Sequence, residues 1–138
     1  MEIKQPLRGL ATINFYATNH SDAVKWYSDF LETQPYFNVP GYAEFRIGDY
    51  QHELGIIDAR YAPDNISSKP SGATIFWHVD NLQATIDKLI SLGASIYQPI
   101  TDRSNGFVTA SVIDPFGNIL GIMTNPHYLE ILNAKNKS

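Results

Sequence analysis

Apolar residues recur at a helical spacing in two segments of the chain, where positions three, four and seven residues apart carry large side chains. Such a stripe is typical of a helix that packs one side against a core. We therefore predict two amphipathic helices. Their stripe residues are Ala23, Val24, Tyr27, Phe30 and Leu31 in the first helix, and Leu82, Ile86, Leu89 and Ile90 in the second.

Polar residues that commonly cap helices stand in front of both stripes. Asn19 and Ser21 are the candidates for the first helix, and Asp80 and Asn81 for the second, because their side-chain oxygens can accept from free backbone amides. Gly93 follows the second stripe, where a glycine often ends a helix. The two helices therefore have comparable start signals.

A strand-like run precedes each predicted helix, Ala11–Ala17 (ATINFYA) and Ala73–Val79 (ATIFWHV). An offset of 62 residues superimposes the two runs and also the two helices that follow. Alternation along a strand sends Ile13 and Phe15, like their counterparts, toward the helices. The opposite face then carries Thr12, Asn14 and Tyr16 in the first run and Thr74, Phe76 and His78 in the second.

Each helix is also followed by further strand-like runs that end in a hairpin. The second hairpin, Ser111–Met123 (SVIDPFGNILGIM), has the turn sequence Asp-Pro-Phe-Gly at its centre. The first, Phe45–Ile57 (FRIGDYQHELGII), turns at a Gly-Asp pair, and aligning Gly55 with Gly121 gives an offset of 66 residues. Each half of the chain is therefore predicted to be a βαβββ unit, and the fold class to be α+β.

The predicted organisation is a single domain over residues 1–138, made of two tandem modules. Module one covers about residues 7–60, module two about residues 72–124, and a C-terminal tail residues 125–138. The connecting residues, about 61–71, are rich in Pro and Ser, as linkers are. A single module leaves one sheet face uncovered, so we expect the modules to pack together or with another chain.

Charge and composition argue against several classes of function. The chain carries 10 Lys and Arg against 14 Asp and Glu, without a basic run, so we expect no nucleic-acid partner. No segment approaches the ~18–20 apolar residues of a membrane span or has the apolar core of a signal peptide, so we expect no membrane partner and a cytoplasmic location. The absence of Cys excludes thiolate catalysis, disulfides and cysteine-ligated metals.

Two βαβββ units, a helix ending in LISLGASI and a closing DPFGNILGI together resemble the vicinal oxygen chelate superfamily. That superfamily includes glyoxalase I, the extradiol dioxygenases, and the fosfomycin and bleomycin resistance proteins. The resemblance runs from about Leu7 to Met123. It implies a curved, roughly eight-stranded mixed sheet around a cavity, commonly in a homodimer.

The resemblance also implies where a metal would bind. Family enzymes hold a divalent metal through His and Glu on the first and last strands of each unit, with open positions left for a substrate. Carried over, these positions are Thr12, Thr74, Gly55 and Gly121. Threonine hydroxyls are poor ligands for zinc or iron, and glycine has no side chain. We therefore predict no metal and no other cofactor at the family's site.

A relocated metal site is the alternative. Glu53 shares the face of Gly55, whereas its neighbour His52 points to the opposite face. His78 shares the face of Thr74 but lies four residues along, roughly 13 Å at the rise of a strand. A Glu53–His78 site therefore requires the two strands to be staggered.

We predict that five residues line the cavity and bind the ligand: Asn14, Tyr16, Glu53, Phe76 and His78. Glu53 and His78 are also the catalytic candidates, since a carboxylate can act as a base and an imidazole exchanges protons near neutral pH. Structural roles are the alternatives. Glu53 can pair with Arg46 or lie at the sheet rim, His78 can be a partly exposed histidine at a strand end, and the other three can pack or hydrogen bond within the sheet.

Three functions are compatible with this pattern. The first is a metal-independent binder of a small organic molecule, similar to the bleomycin resistance proteins. The second is a superfamily enzyme of lyase, isomerase or dioxygenase type, with a relocated metal or with metal-free acid–base chemistry. The third is a structural dimerisation module, because a fold alone does not determine function.

Overall fold

The computed structural model of the protein describes residues 5–65 and 69–136. The chain divides into two compact units, with the boundary after Asp64. Unit one contains five regular elements and a short 3-10 turn at Ala59–Tyr61. The elements are β1 (Thr12–Ala17), α1 (His20–Leu31), β2 (Phe37–Val39), β3 (Tyr42–Ile47) and β4 (His52–Asp58).

Unit two repeats this order and adds one helix. Its elements are β5 (Phe76–His78), α2 (Leu82–Ser91), β6 (Ser95–Asp102), β7 (Val108–Ile113), β8 (Ile119–Thr124) and α3 (Pro126–Asn136). The predicted βαβββ repeat and the α+β class are confirmed. The eight strands form two four-stranded mixed sheets, in the orders β1-β4-β3-β2 (sheet one) and β5-β8-β7-β6 (sheet two).

Strand register confirms both sequence offsets. In sheet one Asn14 lies opposite Gly55 on the parallel neighbour β4, and in sheet two Phe76 lies opposite Gly121 on β8. These partners differ by the 62 residues of the first strands and the 66 residues of the last strands. The two units therefore share one pairing geometry, and positions can be compared between them residue by residue.

Both helices begin at positions that the candidate capping residues predicted, but the buried stripe of α1 is rotated relative to the predicted one. Asn19 and Asn81 accept hydrogen bonds from the amides of Asp22 and Ala84 and so are the N-caps. In α1 the buried residues are Ala23, Trp26 and Tyr27, whereas Val24 and Leu31 are only half-buried. The indole of Trp26 is buried in the core and packs edge-on against Tyr27, with ring centroids 4.8 Å apart.

Two further expectations need correction. In α2 the buried residues are Leu82, Ile86 and Leu89, whereas Ile90 is 42% exposed and lies outside the buried stripe. The run predicted as a strand over Ala73–Val79 is regular only over Phe76–His78. Its ladder nevertheless extends one residue further, because the carbonyl of Ile75 accepts from the amide of Gly121.

The Asp-Pro-Phe-Gly turn between β7 and β8 forms as predicted. Asp114 is buried, and its carboxylate accepts from the backbone amides of Phe116 and Asn118. Gly117 takes a φ of +92°, which a glycine adopts without strain. This turn sets the register of β7 and β8, which brings Gly121 opposite Ser111.

Within the part of the chain that the structure describes, no helix combines the length and the apolar character needed to cross a bilayer.

Candidate functional site

Sheet one has one face packed against α1 and one face that α1 does not cover, which we call the helix-free face. The packed face buries Ile13, Phe45 and Leu54, among others. Alternation and register place the remaining side chains on the helix-free face. These are Thr12, Asn14 and Tyr16 from β1, Glu53, Gly55 and Ile57 from β4, Tyr42, Glu44 and Arg46 from β3, and Phe37 and Val39 from β2.

A row of four residues crosses the middle of this face, one from each strand: Asn14, Gly55, Glu44 and Phe37. Neighbouring side chains fill the space that a side chain on Gly55 would need. A Cβ atom there would overlap Oδ1 of Asn14 and lie 3.0 Å from Cε1 of Tyr42. The glycine thus lets an amide and a phenol converge over the sheet.

Tyr42 starts a chain of polar contacts along β3. Its hydroxyl donates to Oε1 of Glu44 at 2.9 Å, and Oε2 of Glu44 accepts from Nε of Arg46 at 3.4 Å. The guanidinium of Arg46 also lies over the ring of Tyr36, 3.6 Å from its centroid. The positive charge of Arg46 is therefore matched by Glu44 and held against an aromatic ring.

Burial, the hydrogen bond to Glu44 and the nearby charges of Glu44 and Glu53 raise the pKa of Tyr42 to about 12. The phenol therefore stays protonated at neutral pH. It acts as a hydrogen-bond donor on this face and cannot serve as a base there.

Glu53 lies on the same face, with Thr12 opposite on β1 and Arg46 opposite on β3. It is half-buried. The alternative role, a pairing with Arg46, is not formed here, because the guanidinium pairs with Glu44. Among the described residues, no ion pair involves Glu53. This face thus holds two carboxylates and one guanidinium, and Glu53 carries the unmatched charge.

Sheet two has the corresponding row with different side chains: Phe76, Gly121, Ser111 and Gln98. A Cβ atom on Gly121 would lie 2.6 Å from the carbonyl oxygen of Ile75 and 2.8 Å from Cδ1 of Phe76. Ser111, in the position that Glu44 holds in sheet one, is fully buried, and its Oγ has no hydrogen-bond partner among the described residues. The row is therefore closely packed around Gly121, and its exposed polar group is the amide of Gln98.

His78, at the end of β5, is held by the segment that begins α3. Its Nδ1 accepts from the backbone amide of Asn125 at 3.1 Å, and its Nε2 lies 3.3 Å from Oδ1 of Asp80. Its ring stacks on that of Tyr128, with centroids 5.0 Å apart and planes 11° apart. Both ring nitrogens therefore face protein atoms.

The structure brings three of the five predicted site residues together. Asn14, Tyr16 and Glu53 share the helix-free face of sheet one, whereas Phe76 and His78 belong to sheet two. Sequence reasoning missed the Tyr42–Glu44 pair. Its signal was present, since Tyr42, Glu44 and Arg46 alternate along the strand that forms a hairpin with Glu53.

The residues at the family's metal positions do not fit a metal. Thr12 and Thr74 offer only neutral hydroxyls, and the spaces in front of Gly55 and Gly121 are filled by neighbouring atoms. Within residues 5–65 and 69–136, no three His, Asp or Glu side chains are grouped so that they could hold a metal ion. No chemical step is therefore assigned to a metal here.

A cleft of about 410 Å³ lies elsewhere in unit one, between the first turn of α1 and the residues around β2. Its lining includes His20, whose Nε2 donates to the carbonyl of Ile56 at 2.8 Å. None of the five predicted site residues lines this cleft.

Several solved structures share this fold. A glyoxalase-related enzyme from Fulvimarina pelagi has a TM-score of 0.70 at 18% identity, over 87% of this chain and 90% of its own. A lactoylglutathione lyase from Agrobacterium tumefaciens has a TM-score of 0.67 at 16% identity, over 88% and 96%. A glyoxalase/bleomycin resistance protein from Catenulispora acidiphila has a TM-score of 0.61 at 18% identity, over 86% and 100%.

Among curated proteins, no sequence matches this chain. A family model does match, over residues 9–122, which cover nearly all of both βαβββ units, including the glycine on the last strand of each. With the register-matched repeat and the shared fold, this match shows that the chain belongs to the glyoxalase/bleomycin resistance protein/dioxygenase superfamily.

Proposed function

We propose that this protein binds a small organic molecule on the helix-free face of sheet one, without the help of a metal. The packing around the two glycines carries the proposal. At Gly55 and at Gly121, the last-strand ligand positions, neighbouring atoms occupy the space where a coordinating side chain would begin. This arrangement supports ligand binding through side-chain contacts, without coordination to a metal.

The face of sheet one suits a ligand with a hydrogen-bond donor or a positive charge next to an apolar part. Glu53 supplies an unmatched carboxylate, and Asn14 and Tyr16 supply an amide and a phenol on β1. Phe37 is 49% exposed and supplies an aromatic surface. Because Arg46 is already paired with Glu44, this face offers little to an anion.

The enzyme alternative has weaker support. Metal-free acid–base chemistry would use Glu53 and His78, but Nδ1 of His78 is occupied by the amide of Asn125. Tyr42 stays protonated and so cannot take up a proton. One structural relative is a lactoylglutathione lyase and another a glyoxalase/bleomycin resistance protein, so the relatives favour neither function.

Metal analysis of the purified, dialysed protein tests the metal-independent part of the proposal. We expect substoichiometric zinc, nickel, iron and manganese, and added metal should leave the thermal midpoint unchanged. Stoichiometric metal that survives dialysis would overturn the proposal and favour a superfamily enzyme with a relocated site.

Thermal shifts with small aromatic amines, the matching neutral alcohols and the matching carboxylates test the ligand site. A ligand at 100 times its Kd stabilises the folded state by about 2.7 kcal/mol, which gives a clear shift. We expect Glu53→Gln to remove the shift caused by an amine. Asp87→Asn, which makes the same charge change on the exposed side of α2, should retain it. An unchanged shift in Glu53→Gln would exclude Glu53 from the site.

A further inference from the structure

The C-terminal helix α3 is attached to unit two without a buried apolar stripe. None of its residues is buried, and Leu129 and Ile131 are 39% and 41% exposed. An isolated helix of 11 residues is marginal in water, because helix nucleation is costly. The stability of α3 therefore depends on the contacts at its first turn.

Two of those contacts converge on one histidine. The amide of Asn125, the residue before α3, donates to Nδ1 of His78, and the ring of Tyr128 stacks on the same imidazole. Asn125 also caps the helix, since its Oδ1 accepts from the amide of Tyr128 at 3.0 Å. The residue that fastens α3 to β5 is thus also the residue that starts the helix.

This geometry requires a neutral imidazole. A backbone amide can only donate, so Nδ1 of His78 must carry a lone pair, and the ring proton must then lie on Nε2, beside Asp80. Protonation of His78 would put a hydrogen on Nδ1 that faces the hydrogen of the Asn125 amide. A flip of the ring would not help, because both nitrogens of an imidazolium carry hydrogens.

We propose that His78 is a proton-operated latch for α3: the neutral imidazole fastens the helix to the end of sheet two, and protonation releases it. The inference does not depend on the proposed ligand-binding function. Release would uncover the imidazole and the end of β5. The side chain of His78 is only 9% exposed in the latched state.

The groups around His78 oppose release only in part. The carboxylate of Asp80 favours the imidazolium, but its side chain is 96% exposed and well screened by water. The Tyr128 ring can accept a cation on its face, and Met123, opposite on β8, is uncharged. The Tyr128 contact depends on the position of Asn125, which caps the helix turn that carries Tyr128. Loss of the Asn125 hydrogen bond therefore weakens both contacts from this segment.

Amide hydrogen exchange of the full chain, followed by NMR over about pH 5 to 8, where histidines titrate, tests the latch. We expect the protection of the amides in residues 130–136, corrected for intrinsic exchange, to fall by about tenfold per pH unit toward the acid end of this range. The protection of α2 amides should stay constant, which shows that unit two remains folded.

Three variants identify the responsible group. His78→Phe keeps a ring but lacks the acceptor, so protection should be low at every pH. His78→Asn keeps an acceptor that does not titrate, so protection should persist at low pH. His127→Gln removes the neighbouring exposed histidine and should behave like the wild type. Constant protection in the wild type, a pH response in His78→Asn, or its loss in His127→Gln would each overturn the proposal.

Discussion

Gly121→Ala adds a single methyl group at the most crowded point of sheet two. The new Cβ would lie 2.6 Å from the carbonyl oxygen of Ile75 and 2.8 Å from the ring of Phe76. That carbonyl also accepts the hydrogen bond of the Gly121 amide, at 3.1 Å. Relief of the contact therefore stretches the ladder between β5 and β8, and the loss should appear as reduced stability.

The expected magnitude follows from two opposing effects. Overpacking typically costs about 1–3 kcal/mol, and a contact with backbone belongs at the upper end because backbone cannot rotate away. Replacing Gly by Ala lowers the entropy of the unfolded chain and returns about 0.4–1 kcal/mol. We expect a net loss of about 2 kcal/mol for Gly121→Ala. At Gly55 the closest atom is the end of the Asn14 side chain, which can rotate, so Gly55→Ala should cost about 0–1 kcal/mol.

Urea denaturation followed by circular dichroism measures this difference through the transition midpoint at a constant slope. Gly9→Ala is the matched control, because a Cβ there meets no atom within 4 Å, and it should leave stability unchanged or slightly raised. The reasoning is refuted if the free energy of unfolding of Gly121→Ala lies within about 0.5 kcal/mol of the wild-type value. It is also refuted if Gly55→Ala lowers that free energy more than Gly121→Ala does.

Three further outcomes are expected. Ser111→Ala removes a buried hydroxyl that lacks a partner among the described residues. The free energy of unfolding, measured by urea denaturation, should therefore stay constant or rise by up to about 1 kcal/mol. Asp114→Ala removes the acceptor for two turn amides and should cost about 2–4 kcal/mol in the same assay, with Asp114→Asn milder. The pKa of Tyr42 is raised to about 12 in the folded protein, whereas an unfolded tyrosine ionises near its ordinary pKa of 10.0, so stability should fall as pH rises through this window. Tyr42→Phe should flatten that decline, and ultraviolet absorbance titration should show one fewer phenol with a pKa near 12.

The repeat could be predicted because it depends on local signals that occur twice. Asn19 and Asn81 each precede an apolar stripe, and Gly55 and Gly121 each lie in a hairpin, so two offsets define the alignment. The structure confirms those offsets through strand register. The rotation of the buried stripe of α1 was harder to predict from the sequence. Trp26 and Val24 are both apolar but lie on different sides of the helix, so only the tertiary structure shows that the side with the indole is buried.

The polar network of the site depends on contacts between strands, which alternation alone does not give. Alternation places Glu44, Arg46 and Glu53 on one face, but it does not decide which carboxylate the guanidinium meets. Tyr36 decides this, because Arg46 stacks on its ring and so turns toward Glu44. Tyr36 precedes β2 and is brought beside β3 by its amide, which donates to the carbonyl of Glu44. The unmatched charge of Glu53 is therefore a consequence of tertiary structure.

The differences between the two copies indicate where each kind of chemistry resides. Both central rows keep a glycine on the last strand, yet the residue across from it on the third strand of each unit is Glu44 in one copy and the fully buried Ser111 in the other. The offset of 62 residues likewise pairs Tyr16 with His78, and His78 is engaged with the segment that begins α3. Duplicated backbones thus support unlike faces: the carboxylates Glu44 and Glu53 belong to sheet one, whereas sheet two uses its histidine to hold a helix. If the proposed function holds, a substitution that impairs ligand binding without loss of stability should therefore fall in unit one.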